Sequence, residues 1–285
     1  MKLSILTATY NREKYLKRLY ESIINNQNYG LEAEWIIIDD GSIDRTKSLV
    51  EDFILENKLD IKYIYQKNSG KMSAINLGAN MATGELLIDC DSDDFFSDNA
   101  FEIIYRNSDK LLSNNNLYGL CFLKQNINGE ISGKKFEHNF MISTMFDLYF
   151  KKDIQGEKIL VYNTKIRKKY KHILENREKF ITEARMYHKM DENYKILCIN
   201  EIVEIGDYLD DGYTRNYEIN LKQNPMGYRK YYEEICKKGL KGMPIRKKVH
   251  ILKAMLFLFI QKNRYSQSRI YLFLKKLCII FLNNM

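Results

Sequence analysis

The chain has 285 residues, of which 45% are hydrophobic and 13% aromatic, so it can bury a sizeable core and is not disordered throughout. Its net charge of +8 is uneven: residues 226–285 carry 14 Lys and Arg against 2 acidic residues, a balance of +12, and the preceding 225 residues carry −4. Five scattered cysteines without a C-x-x-C spacing argue against a disulfide framework or a zinc site and indicate a cytosolic protein.

Membrane insertion is not expected. No apolar run reaches the roughly 18 residues that a membrane-spanning helix needs, and the first apolar run is too short for a signal peptide. The concentration of positive charge near the carboxyl terminus indicates instead that this part of the chain faces one particular partner.

Apolar runs and helical patterns alternate over the first hundred residues. The predicted strands are residues 3–6, 35–38, 61–65 and 86–89. Helical patterns begin near residues 13, 44, 71 and 99, and Asp44 is the expected N-cap of the second helix. This alternation, with strands that are apolar on both faces, predicts a parallel, doubly wound α/β sheet.

A polar segment follows each predicted strand. These segments are residues 7–12, 39–42, 68–71 and 91–94. Ligands of such sheets bind beyond the carboxyl ends of the strands, so all four segments are expected to converge at one edge.

The fourth segment holds an unusual density of carboxylates: Asp89, Asp91, Asp93 and Asp94 lie within six residues. Four such groups repel one another, and a divalent cation would relieve the repulsion. A solvated acidic turn is the alternative that needs no ligand. An EF-hand is excluded because its loop needs Gly where the chain has Asp94 and Glu where it has Ala100.

Several enzyme classes lose support because their motifs are missing. The chain has no G-x-G-x-x-G, no Walker A loop, no G-x-S-x-G elbow and no H-E-x-x-H. Dehydrogenases, P-loop NTPases, serine hydrolases and zinc hydrolases are therefore disfavoured.

Five motifs occur in order over roughly residues 1–105. They are Thr-Tyr-Asn-Arg at 9–12, Asp-Asp-Gly-Ser-x-Asp at 39–44, Asn-x-Gly-Lys at 68–71, Asn-x-Gly-x5-Gly-Glu at 76–85 and Asp-Ser-Asp-Asp at 91–94. Together they resemble the family 2 glycosyltransferases. The resemblance implies the GT-A fold, a Rossmann-like doubly wound mixed sheet, here with a helical C-terminal extension.

The resemblance also implies a UDP-sugar donor, inversion at the anomeric carbon, and Mg²⁺ or Mn²⁺ on the diphosphate. Donor binding is assigned to Ala8, Tyr10, Asp40, Asn68, Lys71, Asp91 and Ser92, with Tyr10 near the uracil and Asp40 accepting a hydrogen bond from the base. The metal is assigned to the D-x-D pair Asp91 and Asp93 with Asp94 beside it, and which of the three contacts the ion stays open. Asp40 as a turn acid and Lys71 as a solvated helix-start lysine are the alternatives.

An inverting transfer needs a base for the acceptor hydroxyl. By resemblance the base is Glu183, although many relatives have Glu-Asp where this chain has Glu183 and Ala184. The alternative is an ordinary acid at a helix start, favoured by the helix dipole. The same resemblance makes residues 211–216 a loop that closes over donor or acceptor, and the polar turn at 126–133 is expected on the acceptor side.

The predicted organisation is a catalytic domain over 1–224, with a nucleotide-sugar half (1–105) and an acceptor half (106–224), followed by a basic amphipathic helical extension over 225–285. Basic residues at 246–248 precede the apolar stretch 251–260, and Lys275 and Lys276 lie between the apolar stretches 270–274 and 277–282, which is typical of helices lying on the anionic inner face of a membrane. Packing on the catalytic body is the alternative. Nucleic-acid binding is not expected because no recognised motif accompanies the charge.

The expected function is metal-dependent transfer of a hexosyl or N-acetylhexosaminyl group to a hydroxyl of a glycan or lipid-linked acceptor in cell-surface polysaccharide synthesis. The alternative is a non-catalytic sugar-nucleotide-binding or membrane-associated scaffold with the same fold. A nucleotidyltransferase is disfavoured because its Gly-rich phosphate loop is missing.

Overall fold

A computed structural model describes residues 1–27, 29–175, 178–206 and 216–262. The strands are β1 (Lys2–Thr9), β2 (Glu32–Asp39), β3 (Asp60–Tyr65), β4 (Leu86–Asp89), β5 (Phe95–Phe96), β6 (Leu117–Gln125), β7 (Met141–Ser143), β8 (Lys158–Asn163) and β9 (Lys195–Ile205). The α-helices are α1 (Glu13–Asn26), α2 (Thr46–Glu56), α3 (Lys71–Met81), α4 (Ala100–Leu112), α5 (Thr164–Arg167), α6 (Ala184–Met190), α7 (Tyr217–Gln223), α8 (Pro225–Lys238) and α9 (Ile245–Lys262). A π-helical turn spans Asp147–Lys151.

The described strands form one mixed sheet in the order β3-β2-β1-β4-β8-β6-β9-β5, with β7 beside β9. The first four strands are parallel, as the alternation of strands and helices predicted. β8 lies antiparallel between β4 and β6, and β6 is parallel to β9. Strands β6 and β9 therefore point the same way as β1–β4, and their carboxyl ends lie at the same edge of the sheet.

Both faces of the sheet are covered. Trp35 and Ile37 belong to a buried cluster on one face, together with apolar residues of α1, α2 and α4. Ile36 and Ile38 belong to a cluster on the other face, together with residues of α3 and α6. This two-sided burial is why the strands read as continuous apolar runs.

The start of α2 differs slightly from the prediction. The N-cap is Arg45, and the helix begins at Thr46, one residue later than an Asp44 cap would place it. The Asp44 carboxylate nevertheless accepts a hydrogen bond from the Thr46 N–H at 3.0 Å. Asp44 therefore satisfies a free N–H group of the first turn from just outside the helix.

The described part of the C-terminal region packs on the rest of the molecule. Tyr228, Ile235 and Met255 of α8 and α9 form a third buried cluster with Phe146. The Glu178 carboxylate accepts hydrogen bonds from two N–H groups in the first turn of α8, at 2.7 and 2.8 Å. Opposite charge at the positive end of a helix is stabilising, so α8 is fixed to the segment that precedes Glu183.

The structure describes only part of the two apolar regions near the carboxyl terminus. None of the described helices has both the length and the apolar character needed to cross a membrane. The apolar stretch at 251–260 lies within α9, whereas the stretch at 270–282 falls outside the described residues.

Candidate active site

The carboxyl ends of β1–β4 open into a cavity of about 1190 Å³. Parallel pairing aligns Thr9 with Asp39 and Asp39 with Tyr65, so the polar segments after these strands begin side by side. Every residue assigned to the donor, the metal or the base lines this cavity: Ala8, Tyr10, Asp40, Asn68, Lys71, Asp91, Ser92, Asp93, Asp94 and Glu183. Their convergence is confirmed, while their individual roles stay predictions.

Asp40 is 4% exposed and holds the loop that carries Lys71. Its Oδ1 accepts hydrogen bonds from the Gln66 side chain at 2.6 Å and the Ser69 N–H at 2.8 Å, and its Oδ2 accepts one from the Gly70 N–H at 2.8 Å. A carboxylate has about four acceptor sites, so one remains for a ligand. Asp40 thus serves as a turn acid and can still accept a further hydrogen bond.

Lys71 lies between two carboxylates of the cavity. Its Nζ is 2.7 Å from Asp91 Oδ1 and 3.3 Å from Glu183 Oε1. Burial lowers the pKa of Lys71, but Asp91 and Glu183 raise it by more, so the pKa lies well above its ordinary value. Burial likewise raises the pKa of Asp91, and Lys71 outweighs it, so this pKa is lowered. Both groups of the pair are charged at neutral pH.

Glu183 occupies the N-cap position of α6 but makes no side-chain capping bond. Its Oε2 accepts a hydrogen bond from the Tyr187 hydroxyl at 3.1 Å, and its side chain is 38% exposed. The carboxylate is therefore held at the cavity wall by Tyr187 and Lys71, with a surface left for a ligand.

The loop at 68–71 is locked to the segment that leads to Glu183. Gly70 has φ +94°, and a Cβ there would lie 2.0 Å from the Lys179 carbonyl oxygen. The Lys179 ammonium donates a hydrogen bond to Asn68 Oδ1 at 2.7 Å. Only glycine combines this backbone conformation with such close packing. The loop at 68–71 and the segment that leads to Glu183 therefore form one unit.

The acidic segment divides into two environments. Asp91 and Asp93 are partly exposed to the cavity, whereas Asp94 is 3% exposed and lies 2.5 Å from the Lys124 ammonium. Lys124 also lies 3.1 Å from Glu157 and 3.6 Å from Glu204. Burial, and then the neighbouring Glu204, raise the pKa of Asp94.

The carboxylates fit a hard divalent cation in number and spacing. Ligand atoms of Asp91, Asp94 and Glu157 lie within 4.8 Å of one another, and such cations prefer carboxylate oxygens. Asp94 is buried in its ion pair with Lys124, whereas Asp91, although paired with Lys71, and Asp93 are partly exposed, so these two carboxylates are the ones that face a ligand in the cavity.

Lys124, Glu157 and Glu204 were missed by the sequence analysis. Lys124 and Glu204 lie at the carboxyl ends of β6 and β9, and Glu157 directly precedes the antiparallel β8. All three positions reach the same edge of the sheet. The rule that located the first four polar segments would have found them if the directions of β6, β8 and β9 had been known.

Of the two loops expected from the sequence, the structure describes one completely and the other only in part. The turn at 126–133 is described, and Ser132 Oγ accepts a hydrogen bond from the Glu157 N–H at 2.9 Å, which places the turn beside the acidic cluster. Of the closing loop at 211–216, only Asn216 belongs to the described residues, and it lines the cavity.

The amino-terminal part of the chain matches a known family. Residues 4–115 match the model described as glycosyl transferase family 2. The glycosyltransferase MG060 of Mycoplasma genitalium is 37% identical over 113 residues, which are 39% of this chain and 38% of that protein. The minor teichoic acid biosynthesis protein GgaA of Bacillus subtilis is 39% identical over 106 residues, 36% of this chain and 24% of that protein. The matches thus span well under half of these relatives.

Solved structures are similar in fold over most of this chain. TarS of S. aureus in complex with UDP-GlcNAc has a TM-score of 0.63 at 20% identity, covering 94% of this chain and 74% of that one. The mannosyltransferase PcManGT from Pyrobaculum calidifontis, in complex with GDP-Man and Mn²⁺, has a TM-score of 0.56 at 15% identity, covering 98% and 80%. At these identities the likeness concerns the fold alone, and it confirms the GT-A fold expected from the sequence.

Proposed function

We propose that this chain, whose residues 4–115 match the glycosyl transferase family 2 model, is a family 2 glycosyltransferase that transfers a sugar from a UDP-sugar to a hydroxyl group of a glycan or lipid-linked acceptor. The observation that carries the proposal is the position of Lys71 between Asp91, on the expected diphosphate side, and Glu183, the expected base. The names of two similar proteins support the donor and product class: TarS is described in complex with UDP-GlcNAc, and GgaA is a minor teichoic acid biosynthesis protein.

The nucleoside would occupy the side of the cavity formed by Ala8, Tyr10 and Asp40. The Tyr10 ring is 48% exposed, so it offers a free aromatic face for a base. The remaining acceptor site of Asp40 would take a hydrogen bond from an N–H of the base, which suits uracil. Asn68 and Ser92 would line the neighbouring part of the donor site.

Asp91 and Asp93 would hold a Mg²⁺ or Mn²⁺ ion. When bound, such an ion would stabilise the negative charge that develops on the departing diphosphate. Asp94 would act chiefly through its ion pair with Lys124, which keeps the acidic turn in place. The Lys71 ammonium adds a fixed positive charge beside Asp91.

Glu183 would take the proton from the acceptor hydroxyl as the oxygen attacks the anomeric carbon. The carbon–oxygen bond to UDP breaks in the same step, so the configuration inverts. Tyr187 and Lys71 would orient the Glu183 carboxylate through their contacts with its two oxygens. A positioned general base typically contributes about 10² to 10⁴ in rate.

We also propose the division into a catalytic domain over 1–224 and an extension over 225–285, acting in the cytoplasm at the inner face of the membrane. The net positive charge of 226–285 supports contact with anionic lipids. Because the described parts of α8 and α9 pack on the catalytic body, such contact would use their exposed cationic side chains.

Calorimetric titration with UDP in the presence of Mn²⁺ tests the donor assignment. The wild-type protein should bind UDP, and Asp40→Asn should weaken binding about tenfold, because the amide NH2 donates where the carboxylate accepted and one hydrogen bond, to the loop or to the base, is lost. Asp52→Asn, on the exposed face of α2, is the matched control and should leave binding unchanged. Absence of UDP binding by the wild-type protein would refute the proposal.

A further inference from the structure

The cavity is larger than one ligand needs, and its charge differs between its two ends. Its volume of about 1190 Å³ exceeds the roughly 300 to 1,000 Å³ of ordinary ligand pockets. The carboxylates of its described lining all belong to the end near β1–β4 and α6: Asp40, Asp91, Asp93, Asp94, Glu157 and Glu183. The opposite end is lined by residues of α7, α8, α9 and the π-helical turn, and the described lining there includes no carboxylate.

Aromatic side chains form much of this second end. The Tyr231 ring stacks on His188 at 5.7 Å with an interplanar angle of 17°, and His188 meets Phe150 edge-on at 5.7 Å. The Tyr232 hydroxyl lies 2.5 Å from the Tyr217 hydroxyl. The rings are thus fixed by one another; Tyr232 and His188 are buried, whereas Phe150 and Tyr231 are half-buried and offer an apolar surface to the cavity.

Cations outnumber carboxylates at the same end. Arg246 and Lys247 both line the cavity, and both pair with Asp153. The Lys247 ammonium lies 3.4 Å from the Asp153 carboxylate. Burial lowers the pKa of Lys247, and the proximity of Arg246 and Lys134 acts in the same direction, against Asp153. Two cations of the cavity lining therefore share one carboxylate, and an additional anion would be favourable here. Arginine and lysine together suit phosphate oxygens.

We propose that the end of the cavity formed by Phe150, Tyr231, Tyr232, Arg246 and Lys247 is an acceptor subsite for a glycan that carries a phosphate group. The inference rests on the proposed function, because it assigns the acceptor of that same reaction. The aromatic wall takes the sugar or polyol unit, and Arg246 and Lys247 take the phosphate.

The expected base and this subsite belong to the same cavity. Glu183, at the N-cap of α6, and His188, within the same helix, both line the cavity, as does Tyr231. An acceptor unit with its hydroxyl at Glu183 would reach the Tyr231 ring that stacks on His188. The neighbouring phosphate would then lie towards α9.

The phosphate has two chemical sources, a phosphodiester within a polymer or the diphosphate of a lipid-linked sugar. Binding to the full chain, saturated with UDP, is measured by calorimetry for a synthetic glycerol phosphate tetramer and for farnesyl diphosphate-linked N-acetylglucosamine in detergent micelles. Maltotetraose is the neutral comparison. At least one phosphate probe should bind about tenfold more tightly than maltotetraose, and the tighter of the two identifies the source.

The double variant Arg246→Gln with Lys247→Gln should lose about tenfold in affinity for that phosphate probe. Lys237→Gln on α8, an exposed lysine outside the cavity lining, is the control and should bind as wild type. If circular dichroism shows that the double variant is unfolded, the single Arg246→Gln carries the test, since that side chain is 57% exposed.

Equal binding of the neutral and phosphate probes, or unchanged affinity in a folded variant, would overturn the subsite. These results are distinct from failure of the proposed function, which would show as absence of UDP binding by the wild-type protein in the same experiment.

Discussion

The Lys71 ammonium lies 3.3 Å from the Glu183 carboxylate, and the same ammonium is 2.7 Å from Asp91. One side chain thus connects the base expected to act on the acceptor with the acid expected to act on the donor. The loop and the base segment are further joined by the Lys179–Asn68 hydrogen bond and by the packing of Gly70 on Lys179. A change at Lys71 should therefore affect both substrates.

Lys71→Met should lower kcat/KM about 100-fold, because the Asp91 and Glu183 carboxylates lose their shared counter-ion and would repel each other. The loss should appear in kcat and in the donor KM together. Steady-state kinetics with varied donor measure both constants. Lys67→Met, at an exposed position of the same loop, is the control. A normal kcat in Lys71→Met would contradict the positioning role.

Glu183→Gln should reduce turnover by about 10² to 10⁴ while UDP affinity stays near that of wild type, since the amide keeps the shape but cannot accept the proton. Glu192→Gln, at an exposed position just after α6, should be fully active. The same pair separates an enzyme from a non-catalytic scaffold: if complementation in cells is indifferent to Glu183→Gln, the scaffold is favoured.

Lys124→Met should destabilise the protein by about 3 to 5 kcal/mol, because Asp94 and Glu204 would stay buried without their cation. Urea unfolding at pH 7 measures the change. Lys58→Met removes an exposed pair with Glu56 and should cost at most about 1 kcal/mol. Similar losses of unfolding free energy in the two variants would contradict a larger stabilising contribution from the buried ion pairs of Lys124.

His188 should make stability depend on pH. Burial, and then Lys238, lower its pKa to about 3, whereas an unfolded histidine has a pKa near 6.5. The unfolded chain binds a proton that the folded protein excludes, so the contribution is complete above pH 6.5 and is lost as pH falls towards 3. The expected slope is about 1.4 kcal/mol per pH unit.

His188→Leu should remove this part of the slope between pH 6 and pH 4.5. Buried His172 acts with the same sign and remains in both proteins, so the informative quantity is the difference between wild type and variant. Urea unfolding of both proteins at several pH values measures this difference in unfolding free energy. Parallel pH profiles for the two proteins would show that His188 does not contribute.

The first half of the fold was predictable because each signal was local. Apolar runs, the helix start at Lys71 and the polar segment after each strand follow from the order of residues alone. The parallel rule then placed Asp40, Lys71 and Asp91 at one edge without any knowledge of distant contacts. The family resemblance added the roles that chemistry alone left open.

The second half depended on contacts that are remote in sequence. Lys124 contacts Asp94, 30 residues away, and Glu204 as well. These contacts form because β8 lies antiparallel between β4 and β6 in the sheet, so β6 and β9 run in the same direction as β4. Asp40 accepts three hydrogen bonds from the loop after β3, which its acidic character did not reveal. Directions of strands and occupancy of acceptor sites are tertiary properties, so the sequence pattern does not contain them.

The most direct test of the central claim is UDP release from a panel of UDP-sugars by the purified chain, with Mn²⁺, with Mg²⁺ and with a chelator. We expect one donor to be hydrolysed in the presence of metal, with the rate lost on chelation and strongly reduced in Asp93→Asn. If no UDP-sugar releases UDP and the chain binds no UDP by calorimetry, the assignment as a UDP-sugar-dependent glycosyltransferase is contradicted.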